Sequence, residues 1–267
     1  MDTLFSLLFF PTLALLVLGL ALAPLGCFLT WRRLAFFGDG LSHACTFGIA
    51  VALLLKIHFL IGISITAVSI GILLILLEKK KTLSIDTFFS ILSYAFFSGG
   101  ILALSFSKNL HISVEDVLFG DFLAIQSFDF WITLALVSIV LIFLLITWPT
   151  LVLLCLSQDL AIIRHKDARH VEILFIILTS LTVAFGMSLI GALLLPALMI
   201  LPAATARFLS THPRQMMIVS AGMSTLGCSL GIAASYIFKT PTSPTMVLAS
   251  AGLFVLTLLL PQRISHV

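Results

Sequence analysis

The amino-acid sequence predicts an all-α fold, a polytopic bundle of transmembrane helices with eight or nine spans. Composition is the first reason. Of the 267 residues, 61% are hydrophobic and 9% charged, and the mean hydropathy is +1.25, far outside the range of soluble domains. A water-soluble fold of this length would need more polar surface than the chain owns, so its apolar surround must be lipid. The second reason is the placement of the charges. They gather in short joints, and the uncharged runs between them suit the roughly 20 residues that a helix needs to cross hydrocarbon.

Those runs cover about 4–30, 40–55, 57–77, 83–106, 130–154, 171–206, 216–238 and 243–261. The first has no basic leader, since Asp2 is the only charge before Arg32, and it is longer than a signal-peptide core, so a retained span is expected. The run 171–206 is too long for one upright helix; it reads as two spans or as one helix with a re-entrant piece. Two crossings give nine spans, and a re-entrant run gives eight.

The joints set the orientation. Arg32 and Arg33, "EKKKT" at 78–82, "RHKDARH" at 164–170, and Arg207 with Arg214 are basic and therefore cytoplasmic, whereas "VEDVLFGD" at 114–121 and Asp129 are acidic and outside. The N-terminus is then outside. The longest polar connection, about 107–129, leaves no room for a soluble domain, so residues 1–267 are expected to form a single transmembrane domain in the cell (inner) membrane. Lipid is a partner, and nucleic acid is not expected to be one.

Little in the chain points to catalysis. Walker A, HExxH and GxSxG patterns are absent, so no nucleotide hydrolysis by the P-loop route and no intramembrane enzyme is expected, and no catalytic residue is assigned. Cys27, Cys45, Cys155 and Cys228 lie far apart in apolar runs and read as buried fillers, with Cys45 alone close to a histidine.

The chemistry concentrates in "FFGDGLSHACTFGIAVALLL" at 36–55, where Asp39 and His43 stand on an apolar helix. Ionisable residues in a span are costly and usually face a cavity, a partner or a transport path. The i, i+4 spacing stacks the two side chains on one face, so a carboxylate oxygen and an imidazole nitrogen can approach one cation. The plainer alternative makes Asp39 a helix N-cap and His43 a packing residue.

The chain resembles the membrane permeases of ATP-binding-cassette importers for zinc, manganese or iron. Three blocks carry the resemblance: residues 36–55, "VLFGDFLAI" at 117–125, and "GALLLPALMILPAATARFLS" at 191–210. It implies an ABC-importer permease fold and places Asp39 and His43 on the metal path. It also implies that "CLSQDLAIIRHKDARHVE" at 155–172 holds a short cytoplasmic helix that docks on an ATPase subunit. The family's usual glycine in that loop is missing before Glu172, so a plain solvated basic loop is the alternative. "TFG" at 46–48 stands where many manganese and iron permeases have Leu-Pro-Gly, which resembles the zinc branch.

The implied mechanism is alternating access. An extracytoplasmic metal-binding protein delivers the ion, the ion passes between permease halves, and separate ATPase subunits reorient them. No cofactor is held permanently; Zn2+ or Mn2+ is cargo. A second copy of the chain or a paralogous permease is the expected partner, and Gly227 and Gly231, in GxxxG spacing, suit close packing within the subunit or against that copy. Glu115, Asp116 and Asp121 are placed to attract cations or to meet the binding protein. Pro202 is a candidate helix break, with Ala203, Ala204 and Ala206 allowing close approach. The competing function is an ion-coupled secondary metal transporter.

Overall fold

The computed structural model describes residues 2–78, 85–106, 118–120 and 122–259. Among them are nine α-helices and no strand. They are α1 (Asp2–Trp31), α2 (Phe36–Leu55), α3 (Phe59–Glu78), α4 (Ile85–Phe106), α5 (Ser127–Leu156), α6 (Gln158–Arg164), α7 (Ala168–Leu209), α8 (Pro213–Phe238) and α9 (Thr242–Leu259), with a 3-10 turn at Phe122–Ala124. The basic run Lys79–Lys81 and the acidic Glu115, Asp116 and Asp121 lie outside the described residues.

Helix α7 is central and is two helices in one. Gly191, with φ 79° and ψ 167°, breaks it into arms 168–190 and 192–209. The packing gives the direction of each arm. Glu172 pairs with Arg32 and the ring of Phe175 lies 5.8 Å from that of Phe28, while Gly186 sits against Leu18, so the first arm runs antiparallel to α1. Leu195 then lies over Gly186, although nine residues of straight helix would separate them by about 13 Å. Met199 reaches Gly26, and Ala203 and Ala206 cluster with Cys27. The second arm therefore returns beside α1, and 171–206 crosses twice.

Seven helices of the described residues are long and apolar enough to span a bilayer, and α4 adds the apolar stretch Phe89–Ala103. With α7 counted as two arms and α4 included, the described helices offer nine candidate crossings. The break falls at Gly191 and not at Pro202, which stays inside the second arm. Proline is tolerated within a packed membrane helix, whereas ψ near 167° at positive φ belongs almost exclusively to glycine.

The remaining helices group around α7. α1 packs against α5, α8 and both arms of α7, and α2 against α3, α4 and the second arm. Phe28, Trp31, Trp148 and Phe175 stack edge to face where α1, α5 and α7 meet. On α5, Ile139, Ile142, Leu145 and Ile146 point outward, as a lipid-facing helix requires. Gly227 and Gly231 meet Ser250 and Met246 of α9, so the GxxxG face packs within the chain. All four cysteines are free thiols, three of them buried.

One end of the bundle collects the basic groups. Arg33, Arg207 and Pro213 line a single cavity there, Arg214 lines the neighbouring one, and Arg32 meets the start of α7. The joint 164–170 lies at the same end, which is the expected cytoplasmic side.

Candidate metal site on the second helix

α2 begins at Phe36, three residues ahead of Asp39. Its N-cap is Ala35, which offers no side-chain bond, and the carboxylate beside the Phe36 N–H is that of Asp86 on α4. Asp39 therefore does not act as the N-cap, and its carboxylate is left for another role. It lies about 5 Å, and His43 about 11 Å, along the helix from its first residue.

Almost every residue from Phe37 to Ala52 is buried; Asp39, His43, Phe47 and Val51 are the exceptions, forming one half-open stripe at i, i+4, i+8 and i+12. The two ionisable residues of α2 thus stand on its uncovered face, Asp39 with 41% and His43 with 24% of its side chain exposed. Asp39 Oδ1 and His43 Nε2 are 3.4 Å apart. That is long for an N–H···O bond, usually about 2.7–3.2 Å. It matches the spacing of about 3.3 Å between two ligands bound tetrahedrally to one zinc at about 2.05 Å. His43 packs its ring on Phe97 of α4 at 4.8 Å, and its buried Nδ1 has no hydrogen-bond partner.

The second arm of α7 fixes the site from behind. Pro196 has no N–H, so it cannot bond the carbonyl of Ala192 four residues earlier. That carbonyl accepts the Ser42 hydroxyl at 3.3 Å instead, and the same hydroxyl reaches the carbonyl of Asp39 at 2.9 Å. Gly38 lets Met199 and Pro196 approach the first turn closely. At the break itself, Gly120 (φ 66°) and Gly191 lie back to back, with the Gly191 nitrogen only 2.6 Å from where a Cβ of Gly120 would stand. Ser243 of α9 closes the joint, donating to the Phe119 carbonyl at 2.6 Å and lying 3.4 Å from that of Ile190.

The three sequence blocks therefore meet in space: the start of α2 lies on the start of the second arm, and the segment around Gly120 lies on the break. Spacing alone had paired Asp39 with His43. It had not indicated the Ser42 bond to the Ala192 carbonyl, Ser243 or the Gly120–Gly191 contact, although proline four residues beyond Ala192 was a readable sign of a freed carbonyl. Cys45 is buried within α2, away from the open stripe. Among the described residues no third His, Cys, Asp or Glu completes a ligand set.

Residues 5–261 match the ABC-3 family, described as the ABC 3 transport family. The chain belongs to that family. It is 35% identical to the high-affinity zinc uptake system membrane protein ZnuB of Haemophilus influenzae over 97% of this chain and all of that one. It is 27% identical to the manganese import system permease protein ScaB of Streptococcus gordonii, covering 93% of this chain and 89% of the relative. Among solved structures, PsaBC from Streptococcus pneumoniae in complex with Fab superposes with a TM-score of 0.81 at 25% identity, covering 94% of this chain and 90% of that one. With its spans, the ABC-3 chain is a multi-pass membrane permease.

Proposed function

We propose that this ABC-3 permease carries a divalent transition metal, zinc in preference to manganese, along a path that includes Asp39 and His43. The observation that carries the reading is the 3.4 Å approach of a carboxylate oxygen and an imidazole nitrogen on the one open stripe of a buried membrane helix. A hard oxygen with a borderline nitrogen suits Zn2+ and also accepts Mn2+ or Fe2+. The higher identity to a zinc uptake protein than to a manganese permease favours zinc.

Two ligands are fewer than the four that a structural zinc site uses. A transport site benefits from that deficit, because an ion must leave as readily as it binds. The stripe opens away from the chain's own core, so a second permease copy across it would supply the remaining ligands. The whole chain then acts as one transmembrane permease domain, with the ion as cargo and no resident cofactor.

Energy comes from outside this chain, which has no P-loop. At the cytoplasmic end α6 presents Leu160, Ile162 and Ile163 outward, with Ile163 81% exposed, while Ala161 is buried beneath. Apolar side chains outside the lipid-covered part of the protein mark a protein docking face, which fits an ATPase subunit. An extracytoplasmic binding protein delivers the ion on the opposite side. The chain itself is a transport subunit and performs no catalysis.

The test is uptake of zinc into proteoliposomes holding the permease with its ATPase and binding protein. Asp39→Asn or His43→Ala should abolish uptake while each variant still inserts and co-purifies with the ATPase. Wild-type rates in both variants would return His43 to packing and remove the metal site. Zinc movement by the permease without an ATPase would instead support a secondary transporter.

A further inference from the structure

Three chain segments meet at one buried carboxylate on the cytoplasmic end. Glu172, in the second turn of α7, pairs with the Arg32 guanidinium, their side chains 11% and 8% exposed. The same Oε1 accepts a hydrogen bond from Gln158 Nε2 at 3.0 Å. Each partner stands at a joint. Gln158 is the first residue of α6, whose exposed apolar face is the docking surface. Arg32 directly follows α1, and only residues 33–35 separate it from α2 with Asp39 and His43.

That short joint is stiff. Leu34 N–H bonds the Leu29 carbonyl at 2.8 Å, Phe37 N–H bonds the Leu34 carbonyl at 3.1 Å, and Arg33 holds φ 57°. A displacement of Arg32 therefore passes to the start of α2 with little slack. α6 is connected to α5 through Ser157 alone, whose backbone is extended, so its covalent link is thin; Gln158 supplies a side-chain link from α6 to the bundle.

We propose that Glu172 is a positioning residue for transport, transmitting movement of α6 to the metal-bearing helix through Gln158 on one side and Arg32 on the other. The inference rests on the reading that α6 docks an ATPase and that α2 carries the ion. A carboxylate suits the task because charge-assisted bonds to both partners are short and directional. Buried ion pairs with full hydrogen bonding hold one arrangement and resist partial slippage.

The informative variant is Gln158→Ala. It cuts the link to α6 yet leaves Arg32 and Glu172 paired, so no buried charge is stranded and the fold should persist. In proteoliposomes with ATPase, binding protein and zinc, Q158A should keep ATPase association and basal ATP hydrolysis, while zinc moved per ATP falls about tenfold. Gln158→Lys, whose ammonium can donate to Glu172, should restore most of the ratio. An unchanged zinc-to-ATP ratio in Q158A, with the complex intact, would overturn the proposal. Loss of ATPase association in Q158A would overturn it equally, making Gln158 a docking contact. Failure of the wild-type assembly to move zinc, or full transport by D39N, would count against the underlying reading and leave the two cases distinguishable.

Discussion

At the scale of single residues, glycine has two opposed roles in this chain, and they predict opposite outcomes on substitution. Gly191 holds φ 79° and ψ 167°, and an added Cβ would overlap the Leu118 carbonyl. Gly191→Ala should therefore destabilise the protein by at least the roughly 1–3 kcal/mol of strain that such a backbone costs a non-glycine residue. Gly222 lies in the middle of α8 with nothing within 4 Å of its would-be Cβ. Gly222→Ala should stabilise by up to about 1 kcal/mol, since alanine loses less freedom in a helix. Thermal unfolding in detergent separates the two: a higher midpoint for G191A, or a lower one for G222A, would contradict the account. Ser42 has a comparable role. Its hydroxyl stands in for the N–H that Pro196 lacks, and so ties the position of Asp39 to that of the broken helix.

At the scale of elements, the sequence carried the spans well and the joints less well. Hydropathy is a property of each run by itself, so α1 to α5, α8 and α9 were all legible from composition. The long run 171–206 was readable by length as two spans or as one helix with a re-entrant piece, but its turning point was not, because Pro202 is the louder signal and Gly191 acts through contacts with Leu118 and Gly120, far away in sequence. The Asp39–His43 pair was legible because i, i+4 spacing is local. The Arg32–Glu172–Gln158 junction was not, since it joins residues separated by up to 140 positions. Orientation follows from the basic joints and is open to direct measurement. A cysteine placed at His58, exposed between α2 and α3, should react with a membrane-impermeant thiol reagent added outside intact cells. One placed at Lys166, exposed between α6 and α7, should react only after permeabilisation. The native cysteines give little background, three of them being buried and Cys155 partly so. Labelling of both sites from the same side would invert or break the proposed topology.

At the scale of the whole molecule, the question is what covers the open stripe of α2. A half-exposed carboxylate facing hydrocarbon would be expensive, by about 2.5 kcal/mol or more even on the gentler scales. α2 packs against α3, α4 and α7, with the His43 ring on Phe97 of α4, whereas α1 packs against α5, α7 and α8. A second copy placed over the stripe around a two-fold axis would bring Asp39 and His43 of one chain opposite the same pair of the other. Two oxygens and two nitrogens would then surround one point, the four-coordinate set that zinc adopts. This arrangement predicts one zinc bound per two permease chains in the nucleotide-free assembly, measured by metal analysis of the purified complex after removal of loosely held ions. It also predicts that loss of one ligand in one copy is felt by the pair: in a mixed assembly of wild-type and H43A chains, the single-variant pair should bind zinc about tenfold or more weakly than the wild-type pair, as losing one of four ligands implies. A ratio of one zinc per chain, with the mixed assembly binding half as many ions at unchanged affinity, would mean that each stripe works separately and that the chains do not share their ion.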